Sequence, residues 1–458
     1  MKKISSKIPS ILAVALLGAV VLTGCGGTNT SDYVGDPTQL SATITFWHTM
    51  GQANQDVLNS MIAEFNEVYP NITVEHSIQG GYDELRDKVS SAIPAGTTPT
   101  MAYCYPDHVA DYMSAGAVEE LTKYVEDDVI GLGVEDDPSG ALGVDDFIQA
   151  YWDEGRGYSQ EGIYSLPFSK STEVMFYNKT VFEQNSLEVP TTWDEVIEVS
   201  RALKALYPTT VPFGYDSDAN WFITLCEQMG IPYTSVQEGN NFLFNNDRAK
   251  ALVGQMKQWY DEKLIVTQGT SANNEYTSNQ FVAQKLFMAV GSTGGTRYNF
   301  SNQFDVGVAA VPQYEDPDTH AVSQKVISQG PSITIFKRAS ANQKTAAWLF
   351  YKWITNTTNS AVYSVLSGYN PVRTSSFASP IYTTEREVVE NTDSELIKQV
   401  ADFVPTIEDW YYTSPAFKGS STARNEVGGI IANVLLGLKT VEEAFTDALT
   451  TCVFSTEA

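Results

Sequence analysis

Cysteine and histidine are scarce in this chain of 458 residues, with four of each. The cysteines, Cys25, Cys104, Cys226 and Cys452, lie far apart and form no CxxC. Without Cys25 an odd number remains. That excludes a full disulfide framework and leaves either one bridge or, as the preferred reading, buried free thiols. The histidines, His48, His76, His108 and His320, fall in no HExxH, HxxxH or Cys/His cluster, so no metal site is expected. A GxSxG elbow is missing as well. The stretch "GSTGGT" at 291–296 has the wrong spacing for one, and no Gly-Lys-Ser/Thr follows to make a phosphate loop. No cofactor is expected.

Positive charge is in short supply too. Lys and Arg number 28 against 55 Asp and Glu, a net charge of −27. Such a chain repels nucleic acid and anionic lipid, and both are discounted as partners. Long apolar runs are absent except for Ile11–Leu22, which is shorter than the ~20 residues needed to span a bilayer. Lys2, Lys3 and Lys7 precede it as a basic region, and "LTGC", Leu22–Cys25, closes it. This order resembles a bacterial lipobox. It implies a signal peptide over 1–24, acylation of Cys25, and a protein held by lipid on the outer face of the cell membrane. Residues 25–40 carry no periodicity and read as a flexible tether.

What remains suits two large lobes better than one core. Val57, Leu58, Met61, Ile62, Phe65 and Val68 recur at helical spacing, and Pro70 stops the run. "ITFWHTMG" before it, "NITVEHSI" after it and "TPTMAYCY" further on read as strands, with a helix over "GGYDELRDKVSSAI" between the last two. Strand and helix alternate, so the fold class is α/β with a parallel layer. Ligands of such layers sit at the carboxyl ends of the strands. The tail of "ITFWHTMG", the "QGGY" loop and the "YPDH" segment should therefore meet at one edge. "LPFSKSTEVMFYNKTVF" reads as a strand leaving one lobe and entering another. "PTTWDEV" has Thr192 and Glu195 at capping-box spacing. "AKALVGQMKQWYDEKLI", "SNQFVAQKLFMAVGSTGG" and "NQKTAAWLFYKWITN" read as mostly helical. The acidic runs at 126–128 and 135–137 are expected on solvated loops.

Three kinds of chemistry can be read on these residues. His48, at a strand end, lacks a nucleophile and an orienting acid, so it reads as a structural hydrogen-bonder. "DSDANWFITLCE" puts Asp216, Asp218, Asn220 and Glu227 at calcium-loop positions, but Trp221 occupies the place of the turning Gly. Paired carboxylates for a surface carbohydrate-active enzyme stay open as the alternative, because sequence spacing cannot show their separation. Abundant Tyr (24), Phe (21) and Trp (8) suit a ligand held by stacking rather than by charge alone.

Taken in order, "FWHTM", "GGYDEL", "LPFSKSTEVMFYNKTVF", "PTTWDEV", "FMAVGSTGG" and "SGYNPVRTS" resemble the extracellular solute-binding proteins, family 1, that feed ABC importers, nearest the glycerol-3-phosphate-binding branch and more distantly the maltose-type binders. The resemblance implies a monomer that is no enzyme. It would hold a sugar, oligosaccharide or glycerol-phosphate-type solute between two hinged, discontinuous lobes of a periplasmic-binding-protein-like (type II) fold, and pass it to the permease. The lobes would be 41–168 with 294–345, and 169–293 with 346–458. Position by position, the resemblance implies ligand contacts at Tyr82, Asp107, Ser171, Trp221, Ser292, Gly330 and Tyr369. The branch's phosphate-gripping Arg matches best at Lys418 of "PAFKGSSTARNEV". Lys there, and Asp107 where the branch has Glu, leave a sugar as open as a phosphate.

Overall fold

The computed structural model describes residues 35–237, 239–383 and 394–457. The expected signal peptide, Cys25 and the first part of the tether lie outside them. The opening alternation folds as read: β1 (Ala42–His48), α1 (Gln52–Val68), β2 (Ile72–Ile78), α2 (Tyr82–Ala95), β3 (Met101–Cys104) and α3 (Pro106–Ser114). β1 is paired in parallel with both β2 and β3. On α1, Leu58, Met61 and Phe65 are buried, the stripe that the helical spacing predicts.

The crossing is equally local. After a short helix α4 (Gln149–Glu154), β4 (Leu166–Pro167) joins the first sheet and β5 (Ser171–Asn178) joins a second. The chain then forms α5 (Trp193–Leu206), β6 (Phe213–Tyr215), α6 (Asp218–Met229), α7 (Asp247–Asp261), β7 (Ile265–Thr267), β8 (Met288–Ser292), β9 (Val306–Ala309) and β10 (Val326–Gln329). Thr192 and Glu195 close a capping box on α5. β11 (Ser332–Ile335) returns to the first sheet, α8 (Ala341–Ile354) packs on β1, and α9 (Thr357–Ser367) packs on α1. β12 (Tyr411–Tyr412) closes the second sheet's edge, and α10 (Ser420–Leu435) and α11 (Val441–Glu457) pack beside α6 and α7. The first sheet runs β2-β1-β3-β11-β4. The second runs β12-β10-β5-β8-β6-β7, with β9 also on β5.

Three expectations need correction. The sheet changes between Gln329 and Ser332, not at 293/294, because β9 and β10 bond to β5. Helices α8 and α9 lie with the first sheet, so the division at 345/346 does not follow the packing either. "FMAVGS", read as helical, is β8 at the centre of the second sheet, paired with β5 and β6. Finally, Asp127 and Asp137 of the acidic runs are buried. Asp137 meets Lys352 Nζ at 2.7 Å, and Asp127 accepts from the Val129 and Ile130 N–H groups.

The crossings at 167–171 and 329–332 converge on one spot. Gly330, between β10 and β11, has φ +80°, and a Cβ there would stand 2.0 Å from the Ser169 carbonyl oxygen. No other residue fits where the two connections touch. Beside it the fully buried Lys170 Nζ donates to Glu154 of α4 at 2.7 and 2.9 Å and to the Gly330 carbonyl at 2.9 Å. Ser328 and Ser332 donate to the same carboxylate, so one ion pair ties together the ends of both sheets.

Candidate functional site

A cavity of about 980 Å³ opens between the two sheets. Thr49 after β1, Tyr82 at the start of α2 and Tyr105 and Asp107 after β3 line it from one side, so the three expected segments meet. Ser217 and Asn220 after β6, Gln268 after β7 and Ser292 after β8 line it from the other. Each group follows the carboxyl end of a strand, where α/β sheets present ligands. Arg86 Nη1 donates to Ser421 Oγ at 3.1 Å, and the Gly419 N–H donates to Asp111 at 3.1 Å, joining α2 and α3 to α10 across the mouth.

Of the eight residues implied by resemblance, six line this cavity: Tyr82, Asp107, Ser171, Ser292, Gly330 and Tyr369. The hydroxyls of Tyr82 and Tyr369 lie 3.5 Å apart, and Tyr82 meets the Tyr105 ring edge-on at 4.9 Å. Gly294 makes room for this cluster, since a Cβ there would reach the Tyr369 ring at 3.0 Å. Ser292 Oγ donates to Ser171 Oγ at 3.2 Å across the paired strands β8 and β5.

Two of the eight are elsewhere. Trp221 is 1% exposed and stacks on Tyr215 at 5.1 Å, with Trp193 and Phe213 around it. Successive residues on a helix point about 100° apart. Asn220 faces the cavity, so Trp221 is turned into the core and offers no face to a ligand. Lys418 is exposed, precedes α10, and donates to the Thr456 carbonyl at 3.2 Å. Gly419, at φ +93°, turns the chain between Lys418 and the helix. The cation from this stretch that reaches the cavity is Arg424. It shares one helix face with Ser420 and Ser421, which also line it.

Arg424 has no carboxylate ion pair among the described residues, and its Nη2 donates to Asn220 Oδ1. The Asn220 amide N–H donates to Glu173 Oε1 at 2.7 Å. Gln329 donates to that oxygen at 2.8 Å, and the Tyr215 hydroxyl donates to Oε2. The alternation of β5 places Glu173 here: Val174 and Phe176 face a separate apolar cluster, and Ser171 and Glu173 face the cavity. Burial pushes the Glu173 carboxyl up to about 7, against the three hydrogen bonds and the Arg424 charge. Burial also raises Asp216 above its ordinary value and Asp111 to about 6, and lowers His108. Arg86, the other cation on the lining, is paired with Asp83 at 3.1 Å and Asp87 at 3.0 Å.

His48 is buried beneath the lining. Its Nδ1 accepts the Met50 N–H at 3.2 Å, so its Nε2–H donates to His76 Nδ1 at 2.9 Å, and His76 Nε2 in turn donates to Asn59 Oδ1 at 2.8 Å. The backbone donor at one end fixes every tautomer along this chain. Cys104, Cys226 and Cys452 are free, buried thiols. Among the described residues no helix is long and apolar enough to cross a membrane, and no group of acidic, His and Cys side chains is placed to hold a metal.

A family model described as "Bacterial extracellular solute-binding protein" matches residues 60–390. The chain belongs to this family. Similar curated proteins include the sn-glycerol-3-phosphate-binding periplasmic protein UgpB of Salmonella typhimurium, 24% identical over 349 residues, 73% of this chain and 75% of that one. UgpB of Brucella suis is 24% identical over 374 residues, 79% of each. The solved structure of UgpB from Mycobacterium tuberculosis in complex with glycerophosphocholine superposes with a TM-score of 0.70 at 19% identity, covering 91% of this chain and 99% of that one. The GacH receptor of Streptomyces glaucescens, solved unliganded and with acarbose, gives 0.70 at 18%, covering 90% and 97%. The fold of this solute-binding protein is therefore the type II periplasmic one. Arg424, Glu173 and Asn220 were missed on the sequence. The helical phase of "SSTARNEV" carried the signal for Arg424: Ala423 and Val427 belong to the buried stripe, and Arg424 begins the next face.

Proposed function

We propose that this solute-binding protein captures a sugar, oligosaccharide or glycerophosphodiester in the cavity between its sheets, and hands it to an ABC permease from a lipid anchor at Cys25. One observation carries the reading: Arg424, a guanidinium without a carboxylate partner among the described residues, stands in a cavity lined by tyrosines. Tyrosine faces cover the apolar faces of a sugar or glycerol backbone, and Arg offers a two-pronged donor to phosphodiester or hydroxyl oxygens. The six expected lining residues are proposed as contacts, with Arg424 in place of Lys418.

Glu173 is the feature that suits the enzymatic alternative, since a buried carboxyl held at about 7 is what a glycosidase acid requires. Tyr215, Asn220 and Gln329 all turn donors toward its two oxygens, an arrangement that suits a carboxyl accepting hydrogen bonds and not one donating a proton to a leaving group. A reducing-end assay on maltodextrins is expected to show no turnover.

Calorimetry and thermal shift with maltose, maltotriose, glycerol-3-phosphate and glycerophosphodiesters test the reading. A true ligand at 100 times its Kd stabilises the fold by about 2.7 kcal/mol, which moves the melting temperature by several degrees. If no member of the panel binds, the reading is wrong.

A further inference from the structure

We infer that Glu173 sets the charge preference of the cavity, acting on Arg424 through Asn220, so that capture of an anionic solute is coupled to uptake of a proton. The inference rests on the reading of the cavity as a solute site.

The geometry is a relay of three side chains from three elements: Glu173 on β5, Asn220 on α6 and Arg424 on α10. Asn220 is used at both ends, its N–H donating to the carboxylate and its carbonyl accepting from the guanidinium. A carboxylate fixes that amide orientation, because it can only accept. The amide oxygen is then turned toward Arg424, which holds the guanidinium in place at the cavity wall. The side chain with the negative charge is 1% exposed and is also part of the lining. Arg424 and an ionised Glu173 sum to zero, a wall suited to neutral hydroxyls. Arg424 and a neutral Glu173 sum to one positive charge, a wall suited to a phosphodiester. In a buried site a single charge a few ångströms away outweighs a hydrogen bond.

The other charged or titratable groups facing Glu173 are few. Tyr215 comes from β6 and Tyr412 from β12, and burial raises both phenols far above neutrality. β8 presents Ser292 opposite Glu173, and β10 presents Gln329. On and before α6, Asp218 is bonded to Thr267 and the Gly269 N–H, and Asp216 to Thr277. Glu173 is thus the group in this wall whose charge changes near neutral pH, in keeping with its position near 7.

Glu173→Gln removes the charge and retains the bonding. The new amide oxygen still accepts from Asn220 and Gln329, and the new N–H faces the Tyr215 hydroxyl, which can reverse from donor to acceptor. Calorimetric titration with glycerophosphoglycerol, which carries one fixed negative charge, and with maltotriose, which carries none, measures the preference between them. At pH 8.5, where Glu173 of the free wild-type chain is ionised, that preference shifts toward the phosphodiester in the variant by about tenfold or more. A shift of less than about twofold overturns the inference, since a merely structural glutamate would weaken both ligands together. The wild-type chain provides a second measurement that needs no variant. Its affinity for glycerophosphoglycerol rises as pH falls from about 8.5 to about 5.5, and titrations in two buffers of different ionisation enthalpy show proton uptake on binding. A flat profile without proton uptake also overturns it. Failure of the wild-type chain to bind either probe or any member of the broader panel would overturn the functional reading, and this inference with it.

Discussion

In "PAFKGSSTARNEV" the cation expected in the cavity, Lys418, and the one that lines it, Arg424, are six positions apart. The resemblance matches the branch's phosphate-gripping Arg best at Lys418. The helix that begins after Gly419 decides otherwise, since side chains one turn apart share a face and Ser420 and Arg424 turn inward together. Arg424→Gln is expected to weaken phosphodiester binding by about tenfold to a hundredfold, the worth of a charge-assisted hydrogen bond. Lys418→Ala is expected to leave it within about twofold, since that side chain only reaches the Thr456 carbonyl on the surface. Equal losses in the two variants would contradict the placement. His48 supplies the second test at this scale. Burial first and His76 second hold it down to about 4, from an ordinary 6.5. The unfolded chain then binds the extra proton, so the contribution of His48 to stability is intact above about 6.5 and is lost as pH falls toward 4. His48→Ala should cost about 2–4 kcal/mol in urea denaturation, from the cavity left behind and the orphaned Met50 N–H, and should flatten this acid limb. Loss of ligand binding from an intact fold would show that His48 touches the ligand. The sequence made the structural role of His48 legible by offering it no catalytic partner. It could not show His76 as the hydrogen-bond partner of His48, because the contact depends on the β1–β2 register.

At the scale of elements, what was legible followed periodicity and what was hidden followed burial. α1, β2 and α2 each have one wet face, and their period shows in the sequence. β8 has none, so "FMAVG" is a continuous apolar run that periodicity cannot tell from a buried helix. Trp221 fails for a related reason. On α6 nine of twelve residues are buried, so the sequence shows no polar face from which to infer that Asn220 points to the cavity and Trp221 to the sheet. The crossing strand was legible because Pro167 and the polar run after it interrupt two apolar strands. Its hidden part is the Lys170–Glu154 pair, whose members come from separate segments. Lys170→Met leaves a buried carboxylate uncompensated and is expected to cost about 3–5 kcal/mol in urea denaturation. A cost below about 1 kcal/mol would mean that the pair does not hold the crossing together.

Across the whole molecule, composition and the resemblance led to two lobes, and the strand pairing shows how they are shared. The chain passes between sheets at 167–171 and at 329–332, both beside Gly330 and Lys170, and a third time between α9 and β12. The second passage was misplaced because a short strand gives no sign of which sheet it will join. A hinge built on a few residues next to one buried ion pair suits lobes that close on a solute as rigid bodies. The Arg86–Ser421 and Asp111–Gly419 bonds join α2 and α3 to α10 across the cavity mouth. The most direct test is a crystal structure of the protein grown with the tightest ligand of the panel. Ligand density is expected between the two sheets, with a polar ligand atom at hydrogen-bond distance from the Arg424 guanidinium and the Tyr82 and Tyr369 rings against its apolar face. Density outside the cavity, or inside it but away from Arg424, would contradict this placement of the solute.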